Sequence, residues 1–409
     1  MNILLMHNGG DAGLPSGETV VFNAEAAALR RAGCMVHQHL ATGESGLSGK
    51  IRKANVFWSR SSWRTTRELV QTHRPDLVHF HGVLPDLTMS AFAACRDAGV
   101  PVVQTLHNYR WICVEGGLFR DSAFCDDCVC GNGWQGVRKR CSRGSTVVSA
   151  LLAMNNRFAR KEGRLFSLVN RFVAVSQFVK DQHVRGGFPA GQITVKYNGV
   201  SIPPRAEPPP DGQFVNGDAA VVSFVGRLDV AKGTSILGQL PDLMESRCPV
   251  QFKIAGAGPD EQMLRERFAK HSNVEFLGRL SADLVTELLQ SSDCVIVPSI
   301  VPESFGLVAA EAMACGTPVL ASKIGGLAEL LSTSGAGWAV EPTASPAAFA
   351  DTLQEILKGT LRMEKAALGR TFAESKLDIE KTTCDLLEIY ESVMARPAGK
   401  AQTSRKAKA

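Results

Sequence analysis

Nowhere do eighteen apolar residues run together, so no membrane-spanning helix is expected. The opening MNILLMHNGGDAG has a short apolar stretch and no basic prelude, which fits a first buried strand rather than a secretion signal. No sign of charge dominates: the net charge is only +5, and much of it sits in the tail KAQTSRKAKA, expected to be disordered from residue 396 to 409. There is no aromatic run of the RNA-binding type, no zinc-finger spacing with histidine and no dense basic stripe, so nucleic acid is excluded as a partner. Repeats at solenoid spacing are absent too.

What the chain does have is size and alternation. At 409 residues it is too long for one core, and its 44% apolar share supplies two. Short Val-, Ile- and Leu-rich runs read as buried parallel strands. They lie at Asn2–His7, Asp76–His81, Pro101–His107, Arg171–Ser176 and Ile193–Tyr197, then at Ala220–Val225, Val250–Ala255, Val274–Leu277, Cys294–Pro298 and Pro318–Ala321. Strand-helix alternation twice over predicts an α/β chain of two doubly wound Rossmann-like domains facing across a cleft. The segment SIPPRAEPPPDGQFVNGD packs five prolines and two glycines into eighteen residues and cannot be an element interior. The expected domains are therefore 1–200 and 213–378, with a linker at 201–212. An amphipathic helix at 379–395 is expected to cross back to the first domain.

The run PESFGLVAAEAMACGTPVLAS, residues 302–322, carries the most chemistry. It reads as a loop, a helix from Ser304 to Cys315, a stop at Gly316 and a buried strand. A helix start presents unpaired N–H groups and positive potential, which suits a diphosphate. Eight residues separate Glu303 from Glu311, an advance of roughly 12 Å that returns to within about 80° of the same face. Two carboxylates so placed can accept hydrogen bonds from sugar hydroxyls on either side of a pyrophosphate, the layout of a nucleotide-sugar.

Upstream, FVGRLDVAKG places Arg227 and Lys232 after a strand, where they can neutralise a departing diphosphate. A surface Arg and Lys after a βα turn is the plainer account. In IAGAGPD, Gly256 and Gly258 permit close backbone approach to a ligand, although any tight turn would look the same. FLGRLS can present Gly278 and Arg279 to a base.

These segments, with IGGLAEL after them, occur in the order seen in family 4 glycosyltransferases of the GT-B fold, which the chain resembles. The resemblance implies a sugar transfer with retention of configuration, a nucleoside-diphosphate sugar donor and no catalytic metal. It implies that Glu311 holds ribose hydroxyls, that Glu303 faces the donor sugar beside the backbone N–H groups of Phe305, Gly306 and Leu307, and that Arg227 and Lys232 clamp the diphosphate. In the first domain it implies a donor contact at Gly17 of the turn NGGDAGLPSGE, where relatives often have Gly-Gly, and a sugar contact at His107 of TLHNY. His79 and His81 alternate in HFHG, a pattern that ordinary packing also produces. Ser176 and Asn198 match strand ends near the cleft, with turn chemistry an equal account of Asn198.

Five of the eleven cysteines, Cys113, Cys125, Cys128, Cys130 and Cys141, lie within residues 113–141. Cys113, Cys125, Cys128 and Cys141 are a candidate structural zinc set; free thiols and disulfides are the alternatives. The other six are scattered, as in a reducing cytosol. The stretch LLAMNNRFARKEGRLFSLVNRF reads as one helix with Arg157, Arg160, Lys161, Arg164 and Arg171 among apolar residues. It is either a solvated basic face or a peripheral contact with anionic lipid at the inner face of the membrane. The expected partners are a nucleotide-sugar and a saccharide or polyprenyl-linked acceptor, as in bacterial surface polysaccharide or glycolipid synthesis. The rival readings are a non-catalytic nucleotide-sugar-binding scaffold with a zinc module, and a phosphorylase or hydrolase on the same architecture.

Overall fold

The structure is a computed structural model that describes residues 1–9, 16–41, 57–161, 163–205, 214, 219–342 and 345–395. The expected tail and most of the expected linker lie outside the described residues. Strands β1 (Asn2–Asn8), β2 (Met35–Ala41), β3 (Leu77–Phe80) and β4 (Val102–Leu106) come first. A small hairpin, β5 (Phe119–Arg120) and β6 (Ala123–Phe124), precedes β7 (Arg171–Ala174) and β8 (Ile193–Val195). The first sheet has the order β2-β1-β3-β4-β7-β8 and is parallel throughout. The second half supplies β9 (Ala220–Val225), β10 (Val250–Ala255), β11 (Val274–Gly278), β12 (Cys294–Val297), β13 (Val319–Ser322) and β14 (Gly337–Val340). They form a second parallel sheet, β11-β10-β9-β12-β13-β14. Both sheets are therefore doubly wound, as the alternation predicts.

Each strand named from the sequence is present to within two residues at either end. The two that went unread in the main sheets, β2 and β14, are edge strands with one neighbour each. An edge strand need not be apolar on both faces, and β2 leaves Met35 and Leu40 exposed beside His37 and His39. Two further expectations need correcting. The basic stretch is not one helix: Thr146–Ala159 ends at Arg160, Gly163 takes φ +75°, and a separate turn Leu165–Leu168 leads into β7. The helix after Glu303 begins at Leu307 rather than Ser304, because Gly306 is left-handed at φ +93°.

Chain crossings between the halves lie side by side. Val200 N donates to Leu377 O at 2.7 Å and Ile379 N to Val200 O at 3.0 Å, so the outgoing and returning strands are zipped together. The Ile379–Met394 helix then packs Leu386, Ile389, Tyr390 and Val393 against Ile3, Leu5, Phe22 and Leu29 of the first half.

Candidate functional site

In the second sheet the strand order reverses between β9 and β12, so the loops after these two strands open a crevice at the switch point. After β9 the chain turns at Gly226, and Arg227 Nε pairs with Asp229 Oδ2 at 2.9 Å while remaining 63% exposed. Asp229 also caps the short turn Val230–Lys232, accepting from Lys232 N at 3.1 Å. Gly233, at φ +78°, lets this turn press on the loop after β12: a Cβ there would lie 1.9 Å from Pro298 O. The result is that Lys232 Nζ reaches Glu303 Oε1 at 2.8 Å.

Glu303 also accepts from the Ser299 hydroxyl. Burial pushes its carboxyl up, but the Lys232 ammonium and the two hydrogen bonds outweigh burial and hold it below the usual range. Glu311, on the Leu307–Cys315 helix, is the opposite case. Burial alone raises its carboxyl to about 7, with no cation or donor to offset it. Among the described residues it has no hydrogen-bond or ion-pair partner. The start of that helix carries no side-chain cap, so the N–H groups of its first turn remain oriented for an anion. Phe305 is buried in the core beside Tyr197, 5.8 Å between ring centroids, which leaves its backbone as the part available to a ligand.

The other glycines divide. Gly256 and Gly258 are required by a crossing of backbone: Cβ atoms would lie 1.8 Å from Gly226 O and 2.2 Å from Leu228 O. They lock the turns after β9 and β10 together, with Gly256 N donating to Gly278 O at 2.6 Å. Gly278 is left-handed at φ +65° with open space where a side chain would be, and Arg279 beside it is exposed.

On the facing half, Gly17 begins the first helix, exposed and unobstructed, with Ser16 as its cap. Glu18 accepts from Asn108 Nδ2 at 2.8 Å, which joins the Gly17 turn to the His107 loop. Burial lowers His107 to about 4, Glu25 opposing and Lys196 assisting, so its ring is neutral at pH 7. His79 and His81 are fully buried, bonded to Tyr390, Thr105 and His107. Ser176 caps the Gln177–Arg185 helix and donates to Ser304 O at 2.7 Å. Asn198 is buried in the turn before the crossing.

Sequence reasoning missed the residues that join the halves. Tyr109 OH donates to Pro302 O at 3.3 Å, one residue before Glu303. Glu329 takes three donors from the first half: Gln177 N at 2.9 Å, Phe178 N at 2.8 Å and Tyr197 OH at 3.0 Å. Gly325 and Gly326 start its helix directly on the Glu303 loop, where Cβ atoms would meet Glu303 O at 2.5 Å and Ser304 O at 2.3 Å. IGGLAEL showed the glycines as a motif, but nothing local to it marks the partner of Glu329.

In the cysteine-rich segment no three sulfurs gather within 4.8 Å of one another; among the described residues only Glu25, His79 and His81 place ligand atoms so closely. All eleven cysteines are free in the structure. Cys128 packs with Val114, Val137 and Ala153, and Cys141 borders that cluster. No described helix is long and apolar enough to cross a membrane.

Comparison with known proteins agrees with this architecture. Residues 19–202 match the model for Glycosyltransferase Family 4, and residues 210–369 match that for Glycosyl transferases group 1. The chain is 33% identical over 174 residues to the phosphatidyl-myo-inositol mannosyltransferase of Mycobacterium leprae, covering 42% of this chain and 46% of that protein. It is 32% identical over 190 residues to the D-inositol 3-phosphate glycosyltransferase of Corynebacterium urealyticum, 44% of each. The alignments thus span under half of these relatives' length. Among solved structures, Anabaena Alr3699/HepE in complex with UDP superposes with a TM-score of 0.66 at 21% identity, over 96% of this chain and 100% of that one. Sucrose-phosphate synthase from Thermosynechococcus elongatus gives 0.67 at 17% identity, over 96% and 99%. The solved neighbours show the GT-B fold, and with one family model on each half the chain belongs to the group 1, family 4 glycosyltransferases.

Proposed function

We propose that this protein transfers a sugar from a nucleoside-diphosphate sugar to a saccharide or polyprenyl-linked acceptor, with retention of configuration and without a catalytic metal. Bacterial surface polysaccharide or glycolipid assembly is the process this reading favours. One observation carries the donor assignment: the Lys232–Glu303 pair sits at a sheet switch point beside an uncapped helix start, with an unpartnered carboxylate at Glu311. A diphosphate on that helix start would bring its charge to Lys232 and Arg227, and a ribose would offer hydroxyl donors to Glu311. Glu303 would then face the sugar, with His107 opposite and Gly17, Phe305, Gly306, Leu307, Gly278 and Arg279 lining the donor. Gly256 and Gly258 would support the floor. Arg227 and Lys232 stabilise the charge on the departing phosphate, whose oxygen can take the acceptor's proton.

In this reading the domains run from 1 to 200 and from 213 to 378, with 379–395 returning to the first. The lipid contact is assigned to the Thr146–Ala159 region. Val147 and Met154 are exposed two turns apart there, near exposed Arg157, Lys161 and Trp134. Binding to anionic vesicles at low salt, absent for neutral vesicles, is the expected result. Zinc at Cys113, Cys125, Cys128 and Cys141 would need those thiols to draw together, and metal analysis of purified protein tests it.

The decisive experiment is a thermal-shift panel of UDP-, GDP- and ADP-sugars, followed by product analysis with and without acceptor. A bound donor raises the melting temperature by mass action. Stabilisation by one nucleotide class and acceptor-dependent release of its diphosphate support a transferase. Release without acceptor would make it a hydrolase, and pyridoxal absorbance a phosphorylase. No shift with any nucleotide-sugar would overturn the donor site.

A further inference from the structure

Polar side chains cluster where β1, β3 and β4 end, and they form a continuous buried chain behind His107. Lys196 Nζ donates to Glu25 Oε1, both side chains 3% exposed. The other carboxylate oxygen, Glu25 Oε2, faces His81 Nε2 at 3.4 Å, longer than a hydrogen bond, and neither buried atom has any hydrogen-bond partner. His81 Nδ1 lies 3.0 Å from His107 Nε2, the rings stacked at 5.2 Å between centroids. No hydrogen bond to His107 Nδ1 is found among the described residues, and the residue is 7% exposed.

A carboxylate can only accept, so its negative charge favours a proton on the nitrogen that faces it. His81 is then protonated at Nε2 and bare at Nδ1. Its bare nitrogen in turn requires a proton on His107 Nε2, which leaves His107 Nδ1 bare. We propose that Glu25, held by Lys196, is a positioning residue that sets the tautomer of His107 through His81, so that His107 Nδ1 accepts a hydrogen bond from a donor hydroxyl. The alternative tautomer would offer an N–H instead, and a sugar hydroxyl would have to turn its lone pair toward it. The proposal rests on the reading of His107 as a sugar contact and goes beyond it by assigning which nitrogen carries the proton and why.

The same cluster contains Glu25, His79 and His81 within ligand distance of one another, and several of its atoms already have partners within the chain. The Lys196 ammonium engages one oxygen of the carboxylate, and both His79 nitrogens are engaged, by Tyr390 OH at 2.6 Å and Thr105 Oγ1 at 2.8 Å. The cation is supplied by the chain itself.

The test needs ring-¹⁵N histidine labelling of the full chain at pH 7.5, with His81→Gln and His107→Gln used only to assign signals. In the unmutated protein both His81 and His107 should be protonated at Nε2; a proton on Nδ1 of His107 would overturn the proposal. In Glu25→Gln, Lys196 keeps the amide oxygen and the amide N–H₂ faces His81, which should move both protons to Nδ1. The sugar-dependent part of donor recognition should then fall about tenfold in kcat/KM, while affinity for the nucleoside diphosphate alone stays within about twofold. Unchanged tautomers and unchanged kcat/KM in Glu25→Gln would also overturn it. A shifted tautomer with unchanged kcat/KM would support the relay and instead refute the sugar contact of His107. If Glu25→Gln does not fold, the unmutated spectrum still decides.

Discussion

The two acids of the 302–322 run, Glu303 and Glu311, differ most in what surrounds them. Glu303 has a cation and a hydroxyl; Glu311 has neither, and its carboxyl is raised to about 7. Ribose hydroxyls donate to a carboxylate, so donor binding favours ionised Glu311 and expels its proton. Affinity should therefore rise as pH climbs from 5.5 to about 7 and level off above it, by up to about tenfold per pH unit in the rising range. Calorimetry in buffers of different ionisation enthalpy should show proton release at pH 6 and little at pH 8.5; a flat profile would remove Glu311 from the ribose. The stability sign runs the other way from an ordinary paired carboxylate. The folded pKa is raised, so the unfolded chain ionises first and stability declines as pH rises from 4.5 through about 7. Glu311→Gln should then raise the melting temperature of the ligand-free protein at pH 8, with the gain shrinking toward pH 4.5. Lys232→Ala should lower kcat by about a hundredfold and KM little, since leaving-group charge grows in the transition state. Equal loss in both parameters would mean that Lys232 only binds. The eight-residue spacing of these acids was legible because it is a local fact, whereas what surrounds each of them was not. Gly256 and Gly258 were legible only as glycines: what fills their missing side chains is the backbone of Gly226 and Leu228, a contact no spacing reveals.

Elements were read where burial is two-sided. β9 and β10 are near-continuous apolar runs, and their limits follow from the sequence; β2 and β14, half exposed at sheet edges, carry no such run. The helix start at Leu307 was misplaced by three residues because a left-handed Gly306 reads the same as a helical residue in a pattern of apolar positions. The same limit applies to Gly325, whose φ is +62° and whose Cβ would lie 2.5 Å from Glu303 O. Gly325→Ala must both strain the backbone and push the Glu303 loop away from Lys232. Urea unfolding should show a loss of about 2 kcal/mol or more, together with weakened donor binding. Gly316→Ala is the matched control: φ is +74° but the space is open, so a loss of about 1 kcal/mol with donor binding intact is expected. If the two variants bind donor equally well, the start of the Gly325–Ser334 helix does not hold the Glu303 loop.

At the scale of the molecule, the two-sheet plan was readable from alternation. What joins the halves was not readable, because it depends on pairs more than a hundred residues apart: Ser176 with Ser304, Tyr109 with Pro302, and Glu329 with Gln177, Phe178 and Tyr197. Glu329 is the strongest of these links, since one carboxylate meets the positive start of a helix and a phenol that burial, and then Glu329 itself, pushes up to about 12. Its removal leaves both sheets and both chain crossings untouched but takes three acceptor contacts from the closed arrangement. Glu329→Ala should therefore enlarge the radius of gyration of the ligand-free protein in small-angle scattering, and saturating donor should bring it back. Because donor binding must then supply closure that the free protein no longer holds, affinity should fall about tenfold. A scattering profile that matches the unmutated chain, with donor affinity preserved, would show that the halves are held together by their apolar contacts and that Glu329 adds nothing to closure.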